Sequence, residues 1–187
     1  MGTLLVIPGS WRTGSYNAAL ARAAVASAPA GCEARLTSIR DIPLYDGDVE
    51  AAGVPLPVQA LKEAVVAADG VLLVTPEYNN SIPGTFKNAI DWLSRPPQDA
   101  ARIFRNRPFG LIGATPGMGG TRLSQAAWLP VLRTLGTQLW TGTPLYVAGA
   151  GKVFDAEGTL IDSKVKELLT RYMQGLTEFV ARFALHR

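Results

Sequence analysis

Residues 4–20 read LLVIPGSWRTGSYNAAL. A short apolar run ends at Pro8, a polar segment follows, and a helical pattern begins near Tyr16. An uninterrupted apolar run of this length is typical of a strand that is covered on both faces. The sequence therefore predicts a buried strand over residues 3–7, then a polar loop, then a helix.

The alternation of apolar runs with helical patterns continues along the chain. Further strands are predicted at residues 32–38, 70–75, 109–115 and 138–147, the last broken by Gly142 and Pro144. Helices are predicted at residues 16–28, 58–68, 83–94, 119–135 and 161–185, with a long connection at 41–57 and a turn at 152–158. Apolar strands need helices on both sides, so we expect a three-layer α/β sandwich around a five-stranded parallel sheet. The length suits a single domain over residues 1–187.

The composition argues against several classes of protein. The formal net charge is +3, but the basic residues form no block with interleaved aromatics, so we expect no nucleic-acid partner. Cys32 is the only cysteine and His186 the only histidine, which disfavours a disulfide, a metal site and a Ser–His–Asp triad. No apolar window reaches the roughly 18 residues of a membrane span. No secretory leader pattern opens the sequence, so we expect a cytoplasmic protein without a membrane partner.

Three irregular loops follow predicted strands. They are loop one at residues 8–16, loop two at residues 76–83 (PEYNNSIP) and loop three at residues 116–120 (PGMGG). In a parallel α/β sheet, ligands bind at the carboxyl ends of the strands, near the point where the strand order reverses. Three unusual loops on that edge indicate a ligand site.

Loop one and the start of its helix have the residues of an anion site. Ser10, Ser15 and Asn17 can donate hydrogen bonds, Arg12 can bind an anion with two N–H groups, and a helix N-terminus favours negative charge. The segment matches neither G-x-G-x-x-G nor the P-loop pattern, so a terminal monophosphate suits it better than a pyrophosphate. An alternative is that Ser15 only caps the helix and Arg12 is an ordinary surface residue.

Loops two and three suit a flat ligand. Tyr78 beside Asn79 can pack on a planar ring and hydrogen-bond its edge; alternatively the loop is a plain turn with Tyr78 covering the core. Glu77 is either a general base or a solvated carboxylate. Loop three offers free backbone N–H groups without bulky side chains, which suits both close approach to a ring and a simple turn.

The motifs GSWRTGSYN, TPEYNNSIPGTFKNAIDWLSR and TPGMGGTR, in this order, resemble the NAD(P)H-dependent FMN reductase family. DIPLYDGDVE is similar to its bacterial quinone and chromate reductase branch. The resemblance covers nearly the whole chain and implies a flavodoxin-like fold, strand order 2-1-3-4-5, bound FMN, and a homodimer or homotetramer.

The resemblance also assigns residues to the cofactor. The FMN-binding residues that it implies are Ser10, Arg12, Ser15, Tyr16, Asn17, Pro76, Glu77, Tyr78, Asn79, Thr115, Gly119 and Gly120. Arg95 and Arg122 match positions near the substrate or an oligomer contact in similar proteins. Loop three is shorter here than in similar proteins, a difference that bears on acceptor preference.

The function expected from this resemblance is an FMN-dependent NAD(P)H oxidoreductase. NADPH or NADH would deliver hydride to FMN, and a small-molecule acceptor would then take the electrons: a quinone, free flavin, a nitro or azo compound, or a metal oxyanion such as chromate. The cofactor carries this chemistry, so we expect no catalytic side chain and no metal. The alternatives are a flavodoxin-type FMN electron carrier, which would not oxidise NAD(P)H itself, and a flavin-free regulatory protein on the same scaffold.

Overall fold

A parallel sheet forms the centre of the protein, which a computed structural model describes over residues 2–184. The strands are β1 (Gly2–Pro8), β2 (Cys32–Leu36), β3 (Gly70–Val74), β4 (Pro108–Ala114), β5 (Gln138–Leu139) and β6 (Leu145–Val147). Their order is β2-β1-β3-β4-β5, with β6 also paired to β4, and all the pairings are parallel. This confirms the predicted α/β class and the strand order 2-1-3-4-5.

Helices cover both faces of the sheet. They are α1 (Tyr16–Ala26), α2 (Gly47–Ala52), α3 (Leu56–Ala67), α4 (Gly84–Leu93), α5 (Pro97–Phe104), α6 (Arg122–Thr134), α7 (Ala150–Val153) and α8 (Ser163–Ala184). Neighbouring residues of β1 point to opposite faces: Leu4 and Val6 pack with α1 and α8, whereas Leu5 and Ile7 pack with the helices α3 to α6. The result is the predicted three-layer sandwich with one apolar core on each side.

The predicted break in the fifth strand is real. Residues 138–147 form two short strands, β5 and β6, which pair with opposite ends of β4. The segment between them contains Gly142 and Pro144, and a Pro has no N–H for the ladder. The end of β4 that leads into loop three is therefore paired with β6, whereas the middle of β4 has no partner strand on that side among the described residues.

Several predicted boundaries are wrong. The connection at 41–57 contains α2, which buries none of its residues and so carries no apolar periodicity to detect. Helix α5 was not predicted. The helix expected from residue 119 begins at Arg122, because Gly120 and Thr121 have positive φ angles of 62° and 63°. Helix α7 occupies the start of the predicted 152–158 turn. Leu185, the predicted end of the last helix, and His186 lie outside the described residues.

Candidate functional site

The three loops meet at the carboxyl edge of the sheet and enclose a small cavity, here called the loop cavity. Its volume is about 70 Å³, which accommodates one small polyatomic group such as a phosphate. It is lined by Ser10, Arg12, Ser15, Tyr16, Asn17, Pro76, Glu77, Tyr78, Ala114, Thr115 and Pro116. The fold thus brings together most of the residues that the sequence singled out. Asn79, Gly119 and Gly120 lie in the same loops but do not line this cavity.

Loop one leaves β1 through a residue that must be small. A Cβ atom at Gly9 would lie 2.2 Å from the buried ring of Phe86. The N–H of Gly9 donates to the carbonyl of Val74 at 2.9 Å, which fixes the start of the loop against the end of β3. This hydrogen bond therefore fixes the distance between the first residues of loop one and loop two.

Ser15 is the N-cap of α1. Its Oγ accepts the N–H of Ala18 at 3.2 Å and donates to the carbonyl of Ser10 at 3.1 Å. The capping role that the sequence left open is confirmed. Because the single hydroxyl proton is already donated to Ser10, the Ser15 side chain stabilises the shape of the loop.

Loop one keeps donors for an anion. Within residues 2–184, the N–H groups of Tyr16 and Asn17, in the first turn of α1, have no hydrogen-bond partner. The exposed side chain of Arg12 makes one hydrogen bond within the described residues, from Nη1 to the carbonyl of Thr13 at 3.1 Å. A helix N-terminus with a nearby guanidinium attracts negative charge. These donors fit the phosphate of FMN.

Asn17 joins this anion site to β4. Its Nδ2 donates to the carbonyl of Ala114 at 2.8 Å, and its Oδ1 accepts the N–H of the same residue at 2.9 Å. The side chain is buried, with 4% of the residue exposed. Asn17 therefore holds the N-terminus of α1 beside the strand that leads into loop three.

Glu77 connects loop two with α6. Its Oε2 accepts the N–H groups of Leu123 and Ser124 at 2.8 and 3.0 Å. The N-cap residue of α6, Thr121, makes no capping hydrogen bond with its own side chain, so Glu77 caps the helix instead. This role was not predicted, because the capping residue and the helix are distant in the chain.

Loop two ends in a tight turn. Asn79 and Asn80 have φ angles of 50° and 60°, and Tyr78 and Ser81 exchange backbone hydrogen bonds of 3.2 and 3.0 Å. Two central residues with positive φ are the mark of a type I′ turn, in which Asn is favoured. The turn interpretation is confirmed, but the idea that Tyr78 covers the core is wrong. The ring is 49% exposed, beside the loop cavity.

Loop three is held mostly by backbone contacts. Thr115 Oγ1 accepts the N–H of Gly117 at 3.3 Å, and the carbonyl of Gly117 accepts the N–H of Gly149 at 3.1 Å. A Cβ atom at Gly120 would lie 2.7 Å from Tyr146, and its φ of 62° also favours glycine. Gly119 is exposed at the end of the loop. Apart from the exposed side chain of Met118, the loop therefore presents mainly backbone.

The two predicted arginines lie outside the loop cavity. Arg122 is exposed at the start of α6 and lines a separate cavity of about 310 Å³, together with Trp140 and Tyr146. Arg95 is exposed just after α4, and its carbonyl accepts a hydrogen bond from the buried Lys62.

A larger opening, here called the side groove, lies beside the loop cavity and was not predicted from the sequence. Its volume is about 490 Å³. It is lined by Gly9, Ser10, Trp11, Arg12, Ile39, Arg40, Ile42, Leu44, Tyr78, Thr85 and Asn88. Ser10, Arg12 and Tyr78 line both spaces. Ile42 and Leu44 belong to the DIPLYD segment. The resemblance of this segment to one branch of the family could have indicated that it contributes to a site.

Other kinds of chemistry lack support in residues 2–184. No group of three His, Cys, Asp or Glu residues is placed to hold a metal ion. Burial raises the pKa of the Cys32 thiol, and this residue lies in β2, away from the carboxyl-edge loops. None of the helices in this range is both long and apolar enough to cross a membrane.

Several known proteins are similar to this chain in sequence or fold. Residues 3–151 match the protein family described as NADPH-dependent FMN reductase. The NAD(P)H-dependent FMN reductase of Pseudomonas aeruginosa is 40% identical over 179 residues, 96% of this chain and 95% of that protein. A quinone reductase of Escherichia coli K12 is 38% identical over 183 residues, 96% of this chain and 95% of that protein. The solved structure of FerB, a flavoenzyme NAD(P)H:(acceptor) oxidoreductase from Paracoccus denitrificans, has a TM-score of 0.87, with 32% identity and coverage of 97% of this chain and 98% of that one.

The strand order, with loop one at the point where it reverses, defines a protein of the flavodoxin-like fold class. The sequence matches narrow this class further: the chain belongs to the NADPH-dependent FMN reductase family. It is an oxidoreductase that uses FMN and NAD(P)H, as the resemblance of its motifs predicted.

Proposed function

We propose that this protein oxidises NAD(P)H and passes the two electrons through FMN to a quinone. The main support for this proposal is that residues from all three predicted loops line one cavity at the carboxyl edge of the sheet. In balanced form, NAD(P)H gives up hydride, one proton comes from solvent, and the quinone leaves as the hydroquinone. Relatives that bear the name quinone reductase support this acceptor class.

The proposed cofactor contacts follow the loops. Bound FMN would accept hydride and pass on its electrons, which is chemistry that the protein side chains do not supply. The phosphate would lie against the free N–H groups of Tyr16 and Asn17, with Arg12 beside it. Ser10 and Ser15 would shape that loop. The remaining proposed FMN contacts, around the ring, are Pro76, Glu77, Tyr78, Asn79, Thr115, Gly119 and Gly120.

No side chain is proposed as a catalytic acid, base or nucleophile. The only carboxylate that lines the loop cavity is Glu77, and its Oε2 is engaged by two backbone N–H groups of α6. The protein would thus act by binding and orienting the reactants. Free flavin, nitro and azo compounds and chromate are further acceptors that we propose, with Arg95 and Arg122 as residues near the substrate or a subunit contact.

A direct assay separates this function from that of a carrier. Purified protein loaded with FMN is mixed with NADPH or NADH and 1,4-naphthoquinone, and the loss of absorbance at about 340 nm is followed. We expect oxidation in the ratio of one NAD(P)H to one quinone, with dependence on added FMN for protein stripped of cofactor. Bound FMN without NAD(P)H oxidation would instead support the flavodoxin-type carrier; a folded chain that does not bind FMN would contradict both.

We also propose that the protein is a single-domain cytoplasmic enzyme that forms a homodimer or homotetramer. Exposed apolar side chains on and beside α6, Met118, Leu123 and Leu129, support association between copies. The free thiol of Cys32 suits a reducing compartment. Sedimentation velocity measures the assembly, and cell fractionation the location.

A further inference from the structure

Leu44 is an exposed apolar side chain on a firmly held backbone. It is 81% exposed, yet both of its neighbours in the chain are anchored to α4. The carbonyl of Pro43 accepts hydrogen bonds from Asn88 Nδ2 at 2.8 Å and Trp92 Nε1 at 2.9 Å. The N–H of Tyr45 donates to Asn88 Oδ1 at 2.8 Å. The position of Leu44 is therefore fixed although its side chain contacts little of the protein.

Aromatic packing adds to this anchor. The ring of Tyr45 meets the buried indole of Trp92 edge to face, with centroids 4.9 Å apart, and its hydroxyl donates to Glu50 at 2.7 Å. Such contacts between rings stabilise a fixed orientation. Leu56 provides a contrast, since it is 79% exposed at the first position of α3 and lines none of the cavities described above.

The side groove that Leu44 lines has an apolar wall and polar donors. Ile39, Ile42 and Leu44 supply the apolar surface, and Thr85 and Arg40 carry hydrogen-bond donors. No Asp or Glu is among its lining residues. A quinone matches this surface, because its flat ring is apolar and its carbonyl oxygens only accept hydrogen bonds.

An aromatic residue also lines the side groove. Trp11 is among its lining residues, and an aromatic side chain can pack against a flat ring. Ser10, Arg12 and Tyr78 line both this groove and the loop cavity, so a ring bound in the groove would lie next to the proposed FMN site.

We propose that the side groove binds the ring of the quinone acceptor and that Leu44 is a specificity-determining contact with that ring. This inference rests on the proposed function and names the wall against which the acceptor packs. The hydrogen bonds from Asn88 and Trp92 to Pro43 then have a function: they hold Leu44 in place before the acceptor arrives, which lowers the entropic cost of binding.

The test compares Leu44→Ala with Leu56→Ala and wild type, all loaded with FMN and supplied with NADPH. Two acceptors are used: 1,4-naphthoquinone, and ferricyanide, of which two ions each take one electron per NADPH. For Leu44→Ala we expect the KM for naphthoquinone to rise about fivefold or more because apolar contact with the ring is lost, with kcat little changed. The KM for ferricyanide, which has no flat ring, should change less than about twofold. Leu44→Met should retain the low quinone KM, and Leu56→Ala should behave as wild type.

Three results would overturn the inference. One is an unchanged quinone KM in Leu44→Ala, or an equal change in Leu56→Ala. Another is a parallel rise for both acceptors. The third is weaker FMN binding by Leu44→Ala in a flavin fluorescence titration, which would place Leu44 against the cofactor. If wild-type protein reduces neither acceptor with NADPH, the proposed function itself fails, and that outcome is distinct from the other three.

Discussion

The side chain of Asn17 has a structural role that could not be predicted from its residue type, because it holds the backbone of β4. The resemblance assigned it to the cofactor phosphate, and in the structure its amide group also pairs with both polar atoms of the Ala114 backbone. The Asn amide carries its donor and its acceptor on separate atoms, so it can pair with an N–H and a carbonyl at the same time. The backbone N–H of Asn17 stays free for an anion while its side chain holds β4.

Removal of this amide should destabilise the fold. Asn17→Ala leaves the N–H and the carbonyl of Ala114 buried without partners, at a cost of about 1–3 kcal/mol in the free energy of unfolding. Urea denaturation measures the change. The matched control is Gln98→Ala, which removes an exposed amide on α5 and should leave stability unchanged. Equal stability of the two variants would show that the Asn17 pair contributes nothing.

At the scale of elements, the loops are coupled to the helices that follow them. Glu77 of loop two caps α6, which follows loop three. This contact fixes the separation of two loops that, in our proposal, hold the flavin ring. Its carboxylate also places a negative charge at a helix N-terminus, where the helix dipole favours it.

Two substitutions at Glu77 distinguish the contribution of the capping hydrogen bonds from that of the negative charge. Glu77→Ala removes the acceptor and should cost about 0.5–2 kcal/mol of stability, together with weaker FMN binding. Glu77→Gln keeps an oxygen acceptor and loses the charge, so about 0.3–1 kcal/mol is expected. Denaturation and flavin fluorescence titrations measure both effects. Glu157→Ala, at an exposed carboxylate, is the control; if it matches Glu77→Ala, the capping role is refuted.

The sequence predicted the strands of the sheet and the longer helices, and missed short helices such as α2. All five residues of β3 are buried, and an apolar run of this kind is easy to detect. Helix α2 buries none of its residues, so no periodicity marks it. The site loops were found because they follow predicted strands. The cap at Glu77 and the anchor of Pro43 depend on contacts between distant segments, which a single sequence does not reveal.

At the scale of the whole molecule, binding of FMN should be visible as stability. A ligand that binds only the folded state at 100 times its Kd adds about 2.7 kcal/mol, which for a chain of this size raises Tm by roughly 5–10 °C. Riboflavin lacks the phosphate and should raise Tm much less, because the donors of loop one would have no anion to bind. Differential scanning fluorimetry with both compounds measures this, and equal shifts would contradict the anion site in loop one.

The interrupted last strand has a consequence for how copies of this chain can meet. One edge of the sheet, β5, is two residues long, and the other edge, β2, carries the exposed ion pair Glu33–Arg35. Short or charged edge strands resist the addition of a further strand from another molecule. Within the described residues, neither edge offers a long apolar template, so aggregation through extension of the sheet is disfavoured, and we expect copies of this protein to associate through helices and loops.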